Sequence, residues 1–514
     1  MSNIIAFGVT QEGRSLIIEN GLGNSIASSD PTELLHFLVY SCPSASPSDP
    51  RVFSDLDYSV SCLLRLLPDS VGLELRSSKR AVWDKYKLFY ISGKLLGVRR
   101  VHEAETTIFD LGQYFPQEDL RSLPIRALQE KASQLQQALS ELGIDNPPSL
   151  SSPVACFKGH ELLNEIRGTI PTIFDDLGDI MNAHEIALSC TPREWIGNYQ
   201  IGHFPRLWKY DIASAYAYRA ALLPNLNDCT ICKAEGSDLL SDYGFLIGDF
   251  TVYPDHPLAF CSPFLVDRGD GVLVNFTGTE RNYTCTLHDI RCLYAHRMGE
   301  FHFKHGWLLS EPDDHPTRPF ANVMNKLYAM RGSSPVKSHI LKRVMNGIIG
   351  RLLETRRDGA GNVLEYGENF NPIYHALITN SARLQVFAFL AKHKVRKEEL
   401  VHVGVDGVRV MRKISVPDRV AMGGWRCAGC ESAFVLSPGA IVTSDRNFKR
   451  TGYADLLAEC GRRPTAYRLG SDRSDPIDLR RLFLTQTRGF TEMPKQARDL
   501  ATKTYLSEPV HLGA

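Results

Sequence analysis

The chain has 514 residues, 43% of them hydrophobic and 23% charged, and these globular proportions exclude disordered, collagen-like and coiled-coil proteins. Basic and acidic residues balance at 58 each, but residues 1–200 carry 17 basic against 25 acidic side chains. The remainder is therefore basic, which suits a polyanionic partner. No apolar run approaches the ~18 residues of a membrane span, and no signal peptide opens the chain. Twelve cysteines are too sparse for a disulfide scaffold, so we expect no membrane association and a reducing, cytoplasmic compartment.

The first 190 residues mix strands with helices, as in one α/β domain. Two hairpins are predicted, at residues 3–18 and at Tyr86–Val98, the second turning at Ser92-Gly93. A short strand is predicted at Thr106–Leu111. An amphipathic helix is predicted at Ile125–Leu142, ended by Gly143.

A first chemical pattern lies at residues 206–216, RLWKYDIASAY. A strand carries Asp211 at its C-terminal end, and a helix begins near Ser214. Carboxylate, hydroxyl and backbone N–H groups at one helix N-terminus suit a metal-bound phosphate. Ordinary helix capping by Asp is the plainer alternative, and for this pattern alone it is favoured.

A second pattern is a basic helix that begins at Ser334-Pro335 with a good N-cap and a proline in the first turn. Lys342, Asn346 and Gly350 recur every four residues and form one stripe. Residues 326–357 hold eight basic side chains and only Glu354 as an acidic one. A solvated basic face is the alternative, but Gly347 and Gly350 cost about 1 kcal/mol each in a helix and so indicate close approach by another group.

A third pattern, at residues 399–411, predicts a hairpin that turns at Asp406-Gly407. Its flanking runs are apolar enough for central strands, so Asp406 would be held on a rigid core hairpin. A surface turn is the simpler interpretation of an isolated Asp-Gly pair.

In this order, the three patterns resemble the motifs of family B DNA polymerases. DIASAY is similar to Asp-x-x-Ser-Leu-Tyr-Pro, and KRVMNGIIG to Lys-x-x-x-Asn-Ser-x-Tyr-Gly. HVGVDGV resembles Tyr-x-Asp-Thr-Asp, with His402 for Tyr and Gly404 for the first Asp. Further similarity, including residues 195–198 (WIGN) as a degraded interdomain linker, is to the small polymerases of phages and linear plasmids, many of them protein-primed.

The resemblance implies an α+β multidomain, right-hand polymerase preceded by an RNase H-like α/β exonuclease-type domain. The expected boundaries are 1–198 for the exonuclease-type domain, 199–319 and 353–425 for the palm, 320–352 for the fingers and 426–514 for the thumb. The implied partners are template and primer DNA and deoxynucleotides. Protein priming is left open.

The resemblance also assigns roles to residues. Asp211 and Asp406 would bind two Mg²⁺ or Mn²⁺ ions, and Lys342 would bind the triphosphate and serve as a proton donor. The nucleotide site would comprise Ser214, Tyr216 as the gate against ribose, Arg331, Asn346 and Gly347. Primer and template contacts would come from Lys449 or from Lys503 and Tyr505.

Two departures from the family limit these expectations. Gly404 removes one motif carboxylate, which should weaken metal binding and leaves a catalytically silent, nucleic-acid- or partner-binding homologue as the alternative. Residues 7–10 (FGVT) and Ser59 stand where the family has the acidic residues of proofreading, so we expect no exonuclease activity.

Two C-x-x-C pairs, Cys229/Cys232 and Cys427/Cys430, could together form a four-cysteine zinc site. They lie far apart in the chain, so the sequence favours buried apolar thiols over zinc.

Overall fold

The protein is described by a computed structural model. The description covers the chain except for residues 1–3, 13–14, 42–50, 92–94, 101–105, 116–117, 119, 121–122, 143–178, 192–194, 201, 236–240, 268–272, 314–315, 333, 358–362, 368, 418–420, 438–439, 444–509 and 513–514. The chain divides into two compact units. The first comprises Met1–Asn164 and Lys326–Ile348, and the second comprises Glu165–Asn325 and Ile349–Ala514.

The first unit is built on an eight-stranded sheet with the order β3-β2-β1-β4-β8-β7-β6-β5. Strands β1, β4 and β8 are parallel, whereas the two flanking meanders are antiparallel. The elements of Met1–Asn164 are β1 (Ile5–Glu12), β2 (Ser15–Asn20), β3 (Ser25–Ser28), α1 (Pro31–Tyr40), β4 (Arg51–Phe53), α2 (Leu56–Leu64), α3 (Asp69–Ser78), β5 (Arg80–Trp83), β6 (Tyr86–Ile91), β7 (Leu95–Arg100), β8 (Thr106–Asp110) and α4 (Ile125–Glu141). The strands of the two predicted hairpins, the short strand and the amphipathic helix are confirmed, whereas the predicted turn at Ser92-Gly93 and Gly143 lie outside the described residues.

Alternating apolar side chains give this sheet its buried face, which α1 and α2 cover. On the other side, α4 is tied to β1 by Gln129. Its amide accepts a hydrogen bond from Ala6 N at 3.0 Å and donates one to Ile4 O at 2.9 Å. One long-range side chain thus bonds a backbone N–H of β1 and the carbonyl of the residue just before the strand.

The second unit contains two six-stranded sheets. One has the order β21-β20-β10-β19-β18-β9, and the other joins β11, β15, β12, β14 and β13, with β22 parallel to β14. Up to residue 310 its elements are α5 (Asp179–Cys190), β9 (Gly197–Asn198), β10 (Gly202–Ile212), α6 (Ala215–Leu222), β11 (Thr230–Lys233), β12 (Tyr243–Val252), β13 (Leu265–Asp267), β14 (Leu273–Thr286), α7 (Leu287–Ala295) and β15 (Gly299–Ser310). Gly197 and Asn198 are buried within a sheet, although the sequence indicates a linker there.

A pair of helices follows, α8 (Ala321–Met330) and α9 (Pro335–Arg351). Helix α9 begins as predicted, with Ser334 Oγ accepting a hydrogen bond from Lys337 N at 3.4 Å. The remaining elements are β16 (Thr355–Arg357), β17 (Val363–Tyr366), α10 (Pro372–Lys392), β18 (Leu400–Gly404), β19 (Gly407–Val410), β20 (Trp425–Ser437), β21 (Ala440–Thr443) and β22 (Val510–Leu512). Within the described residues, no helix is both long enough and apolar enough to cross a bilayer.

Helix α10 is nearly buried on all sides and joins the core that both sheets of the second unit share. It carries Arg383, which is 2% exposed and pairs with Asp289 of α7, which is fully buried. Asp289 also closes a capping box with Thr286. Buried ion pairs of this kind are costly to break from one side, because the remaining charge stays out of water.

Replacing Arg383 by Met should therefore lower the free energy of unfolding by about 3–5 kcal/mol, because it leaves the Asp289 carboxylate buried without its cation. The measurement is urea unfolding. Arg396→Met is the matched control, since Arg396 is 73% exposed in its pair with Glu399 and should leave the free energy of unfolding nearly unchanged. Equal free energies of unfolding for the two variants would contradict a stabilising role of the buried Arg383–Asp289 pair.

Candidate active site

The candidate site lies at one end of the sheet formed by β9, β10 and β18–β21. Asp211 is the penultimate residue of β10 and pairs with Gly407 of β19, while the backbone N–H of Ile212 donates to Asp406 O at 2.8 Å. The two aspartates that the sequence predicts to act together are therefore on directly hydrogen-bonded segments. The Asp211 side chain is 16% exposed, and Asp406 is half-buried.

The hairpin that carries Asp406 turns one residue earlier than the Asp-Gly signal predicts. Gly404 and Gly407 form its last pair, so that Val405 and Asp406 make the turn. Gly407 is needed for close packing of β19 against β10. A Cβ at this position would lie 2.5 Å from Tyr210 O and 3.3 Å from the Asp211 Cα. Only glycine lets β19 approach β10 this closely.

The residues after Asp211 lead into α6. Ser214 is the N-cap in a left-handed conformation (φ 52°, ψ 53°), which is strained for a residue with a side chain. Ala213 is held by two backbone hydrogen bonds, from its N–H to Gly424 O at 2.9 Å and from Gly423 N to its carbonyl at 2.7 Å. Tyr216 is half-buried against the common core. Asp211, Ser214 and Tyr216 thus occupy one fixed turn.

A buried polar pair lies beside the missing motif carboxylate. His402 Nδ1 is 2.7 Å from Asn198 Oδ1, and burial, with Arg409 adding to it, lowers the His402 pKa to about 3. A neutral imidazole has one N–H, and the amide oxygen only accepts, so we assign the proton to Nδ1. A Cβ at position 404 would lie 3.3 Å from the remaining nitrogen, Nε2. The glycine at 404 therefore leaves room for His402.

The other predicted nucleotide-binding residues belong to the first unit. On α9 the buried side chains alternate with a stripe in which Lys342 is half-buried and Asn346 and Gly350 are exposed. Arg331 lies just after α8, and its Nε donates to Ser338 Oγ at 3.0 Å. Burial lowers the pKa of His339, and the charges of Arg343, Lys342 and Arg331 lower it further, so these cations surround one imidazole. Gly347 is half-buried on the same helix.

Some predictions were wrong or lie outside the description. Cys232, Cys427 and Cys430 are exposed and Cys229 is half-buried, so these thiols are not the buried apolar groups expected. The reason is position, since β11 is an edge strand and β20 bulges between its two cysteines, at Gly429. Lys449, Lys503 and Tyr505 lie outside the described residues.

Residues that sequence reasoning missed include Arg426 and Asp110. Arg426 of β20 faces Asp211 and binds both of its carboxylate oxygens, at 2.7 and 3.0 Å. In the first unit, burial raises the pKa of Asp110 to about 7, and Asp55 and Asp57 add to the effect. Neither has a local sequence signal, because each depends on a strand pairing across the chain.

The donor set at Asp211 and Asp406 suits Mg²⁺ or Mn²⁺. Carboxylate oxygens are hard ligands, and Mg²⁺ is commonly held by one or two carboxylates together with substrate phosphates. Among the described residues, no group of three or more His, Cys, Asp or Glu side chains could hold a metal ion. The remaining ligands of a cation held by these two carboxylates would be water or substrate phosphates.

Comparison with solved structures finds the fold of phi29 DNA polymerase. Its complex with single-stranded DNA aligns with a TM-score of 0.51 at 11% identity, over 86% of this chain and 89% of the other. Its orthorhombic crystal form aligns with a TM-score of 0.51 at 10% identity, over 86% and 87%. Its ternary complex with primer-template DNA and incoming nucleotides gives 0.50 at 10% identity, over 85% and 88%.

At such identities the likeness establishes the fold alone, a mixed α+β fold like that of phi29 DNA polymerase. The expected fold class is confirmed at this level, and its division into palm, fingers and thumb stays a prediction. No protein-family model matches the sequence, and no curated protein matches it.

The site also predicts a pH dependence of stability. The folded-state pKa of His402, about 3, lies below the ~6.5 of an unfolded chain. Between these values the unfolded chain binds more protons, so stability falls as the pH falls through this window. His402→Gln should flatten the decline by up to about 1.4 kcal/mol per pH unit between pH 4 and 6, as measured by urea unfolding.

The control for this prediction is His302→Gln, because the His302 side chain is 69% exposed. His302→Gln should leave the pH dependence of the free energy of unfolding unchanged. If His402→Gln and the wild type lose stability equally steeply, the neutral buried imidazole is not present.

Proposed function

We propose that this protein is a template-directed DNA polymerase that adds deoxynucleotides to a primer. The observation that carries the proposal is the direct backbone hydrogen bond between the Asp211 and Asp406 segments, at one end of a sheet in a phi29-like fold. The printed descriptions of the phi29 structures name primer-template DNA and incoming nucleotides. We infer the same classes of partner for this chain.

In this proposal Asp211 and Asp406 would hold two Mg²⁺ or Mn²⁺ ions, which would supply Lewis-acid activation of the primer oxygen and neutralise the leaving pyrophosphate. Lys342 binds the triphosphate and donates a proton to it as pyrophosphate leaves. Arg331 is a second triphosphate contact, and Lys449, Lys503 and Tyr505 are proposed contacts for primer and template.

Selection of the nucleotide is assigned to Ser214, Tyr216, Asn346 and Gly347. Tyr216 is fixed by the turn after Asp211 and is the proposed gate, with its ring occupying the space that a 2′-OH would need. The exposed stripe of Asn346 and Gly350 on α9 offers an amide and bare backbone to a flat ring. The right-hand layout, with the boundaries expected from the sequence, belongs to the same proposal.

The polymerase proposal is tested by primer extension with Mg²⁺ or Mn²⁺. Asp211→Asn and Asp406→Asn should each reduce the rate by about 10³-fold, because each removes a ligand worth several kcal/mol in the transition state. Asp249→Asn is the control, since Asp249 is also paired, to Lys304, but lies in the other sheet. It should retain activity within about twofold.

A catalytically silent homologue is the second candidate. Two observations favour it, the Gly404 substitution and the ion pair of Asp211 with Arg426. In that case the wild type would bind primer-template DNA yet show no more extension than Asp406→Asn does.

We further propose that the first unit has an RNase H-like fold without proofreading. The parallel strands β1, β4 and β8 next to the antiparallel β2 and β3 support that fold. Residues 7–10 on β1 include no carboxylate, and Ser59 stands in α2. Asp55 serves as the N-cap of α2, accepting from Tyr58 N at 2.8 Å.

The wild type should therefore leave a 5′-labelled single strand intact in Mg²⁺ or Mn²⁺, because a two-metal site needs carboxylates on the first strand. The assay is gel analysis of strand length without nucleotides. Asp110→Asn is the matched variant, since Asp110 is the buried acid beside Asp55 and Asp57. Shortening that persists in Asp211→Asn but disappears in Asp110→Asn would contradict the proposal.

A further inference from the structure

The side chain of Arg426 covers the functional edge of Asp211. Its Nε lies 2.7 Å from Oδ1 and its Nη2 lies 3.0 Å from Oδ2. The two residues face each other in the register of β10 and β20, so the contact is built into the sheet. A bidentate Arg–carboxylate pair of this geometry is among the stronger charge-assisted interactions.

The two partners of this pair differ in freedom. Asp211 is 16% exposed, and β10 is hydrogen-bonded along both edges, to β19 and to β20. The Arg426 side chain is 47% exposed and ends a long flexible stem. The sheet therefore holds the carboxylate in place, while the guanidinium is on a side chain that is about half in solvent.

A second cation on this face, Arg409, is paired with a different carboxylate. Arg409 points to the same side of the sheet as Lys209 and Asp211 by register. However, its Nε is held by Glu431 at 3.0 Å. Arg409 thus provides the same charge on the same face without contacting Asp211 in the described structure.

We propose that Arg426 is a specificity-determining residue that competes with the divalent cation for Asp211 in the free enzyme, an inference that rests on the proposed polymerase function. Arg426 leaves Asp211 when a cation arrives together with a nucleotide, since the triphosphate offers the guanidinium a new bidentate partner. Cation alone binds weakly to such a site, and cation with nucleotide binds well. Gly404 stands where the family motif has an Asp. The absence of that carboxylate strengthens the preference for cation with nucleotide over cation alone, because fewer negative charges remain to attract a lone cation.

The expected change in affinity for the cation follows from the fraction of time for which the Arg426–Asp211 ion pair is open. If Arg426 covers Asp211 about 90% of the time, the apparent Kd for the cation is raised about tenfold over an uncovered site. A variant without the guanidinium should therefore have an apparent Kd for the cation about tenfold lower than that of the wild type.

The experiment is a titration of the full chain with Mn²⁺ alone, followed by electron paramagnetic resonance of the free ion. Arg426→Gln should bind Mn²⁺ about tenfold more tightly than the wild type, and Asp211→Asn should lose this binding. Arg409→Gln is the matched control and should change the affinity less than twofold. Arg426→Lys keeps the charge but not the two-pronged contact, and should give an intermediate affinity even if Arg426→Gln folds poorly.

Saturating dATP should then bring wild type and Arg426→Gln to within about twofold in Mn²⁺ affinity. A difference that stays tenfold would show that the nucleotide does not release Arg426, which would overturn the coupling.

The outcomes separate this inference from the function on which it rests. If Asp211→Asn binds Mn²⁺ as tightly as Arg426→Gln does, the metal site itself fails and the polymerase proposal fails with it. If Asp211→Asn loses binding while Arg426→Gln equals the wild type, or gains no more than Arg409→Gln, competition by Arg426 is overturned and the polymerase proposal stands.

Discussion

The double hydrogen bonding of β10 is the constraint on which the candidate site depends. One edge of this strand pairs with β19 and the other with β20, so Asp211 lies between the Asp406 turn and Arg426. Close approach is possible because Gly407 has no side chain to meet Tyr210 O. Gly423, at φ +84°, plays a similar part behind the site, where a Cβ would overlap the Tyr218 ring. Small residues therefore position the acidic ones.

The opposite face of the same strand anchors it to the core. The hydroxyl of Tyr210 accepts a hydrogen bond from Ile414 N at 2.6 Å and donates one to Ile414 O at 3.0 Å. Phe389 of α10 stacks on Trp425 with ring centroids 4.0 Å apart and also contacts Tyr210. Aromatic contacts of this kind add to the free energy of area burial. The anchored face leaves the polar face free to carry charge.

Local patterns were sufficient for several elements, and the resemblance of three motifs to family B polymerases suggested that the two aspartates act together. Alternating apolar residues, the Ser334 cap and the turn signal at Asp406 each act over a few residues, so the sequence shows them directly. Arg426 and Asp211 are 215 residues apart, and His402 and Asn198 are 204 apart. No short-range signal specifies such partners. The exposure of Cys427 and Cys430 likewise depends on a bulge in a long-range ladder, which composition alone does not reveal.

The order of strands around β10 has a consequence for biosynthesis. Both neighbours of this strand leave the ribosome about two hundred residues after it does, and the closure of so long a loop is slow relative to local pairing. During that interval both edges of β10 have no partner from β19 or β20, and unpaired strand edges are where chains associate wrongly. Nascent chains stopped before Trp425 therefore carry an unfinished sheet, and they are the species that a chaperone would need to shield.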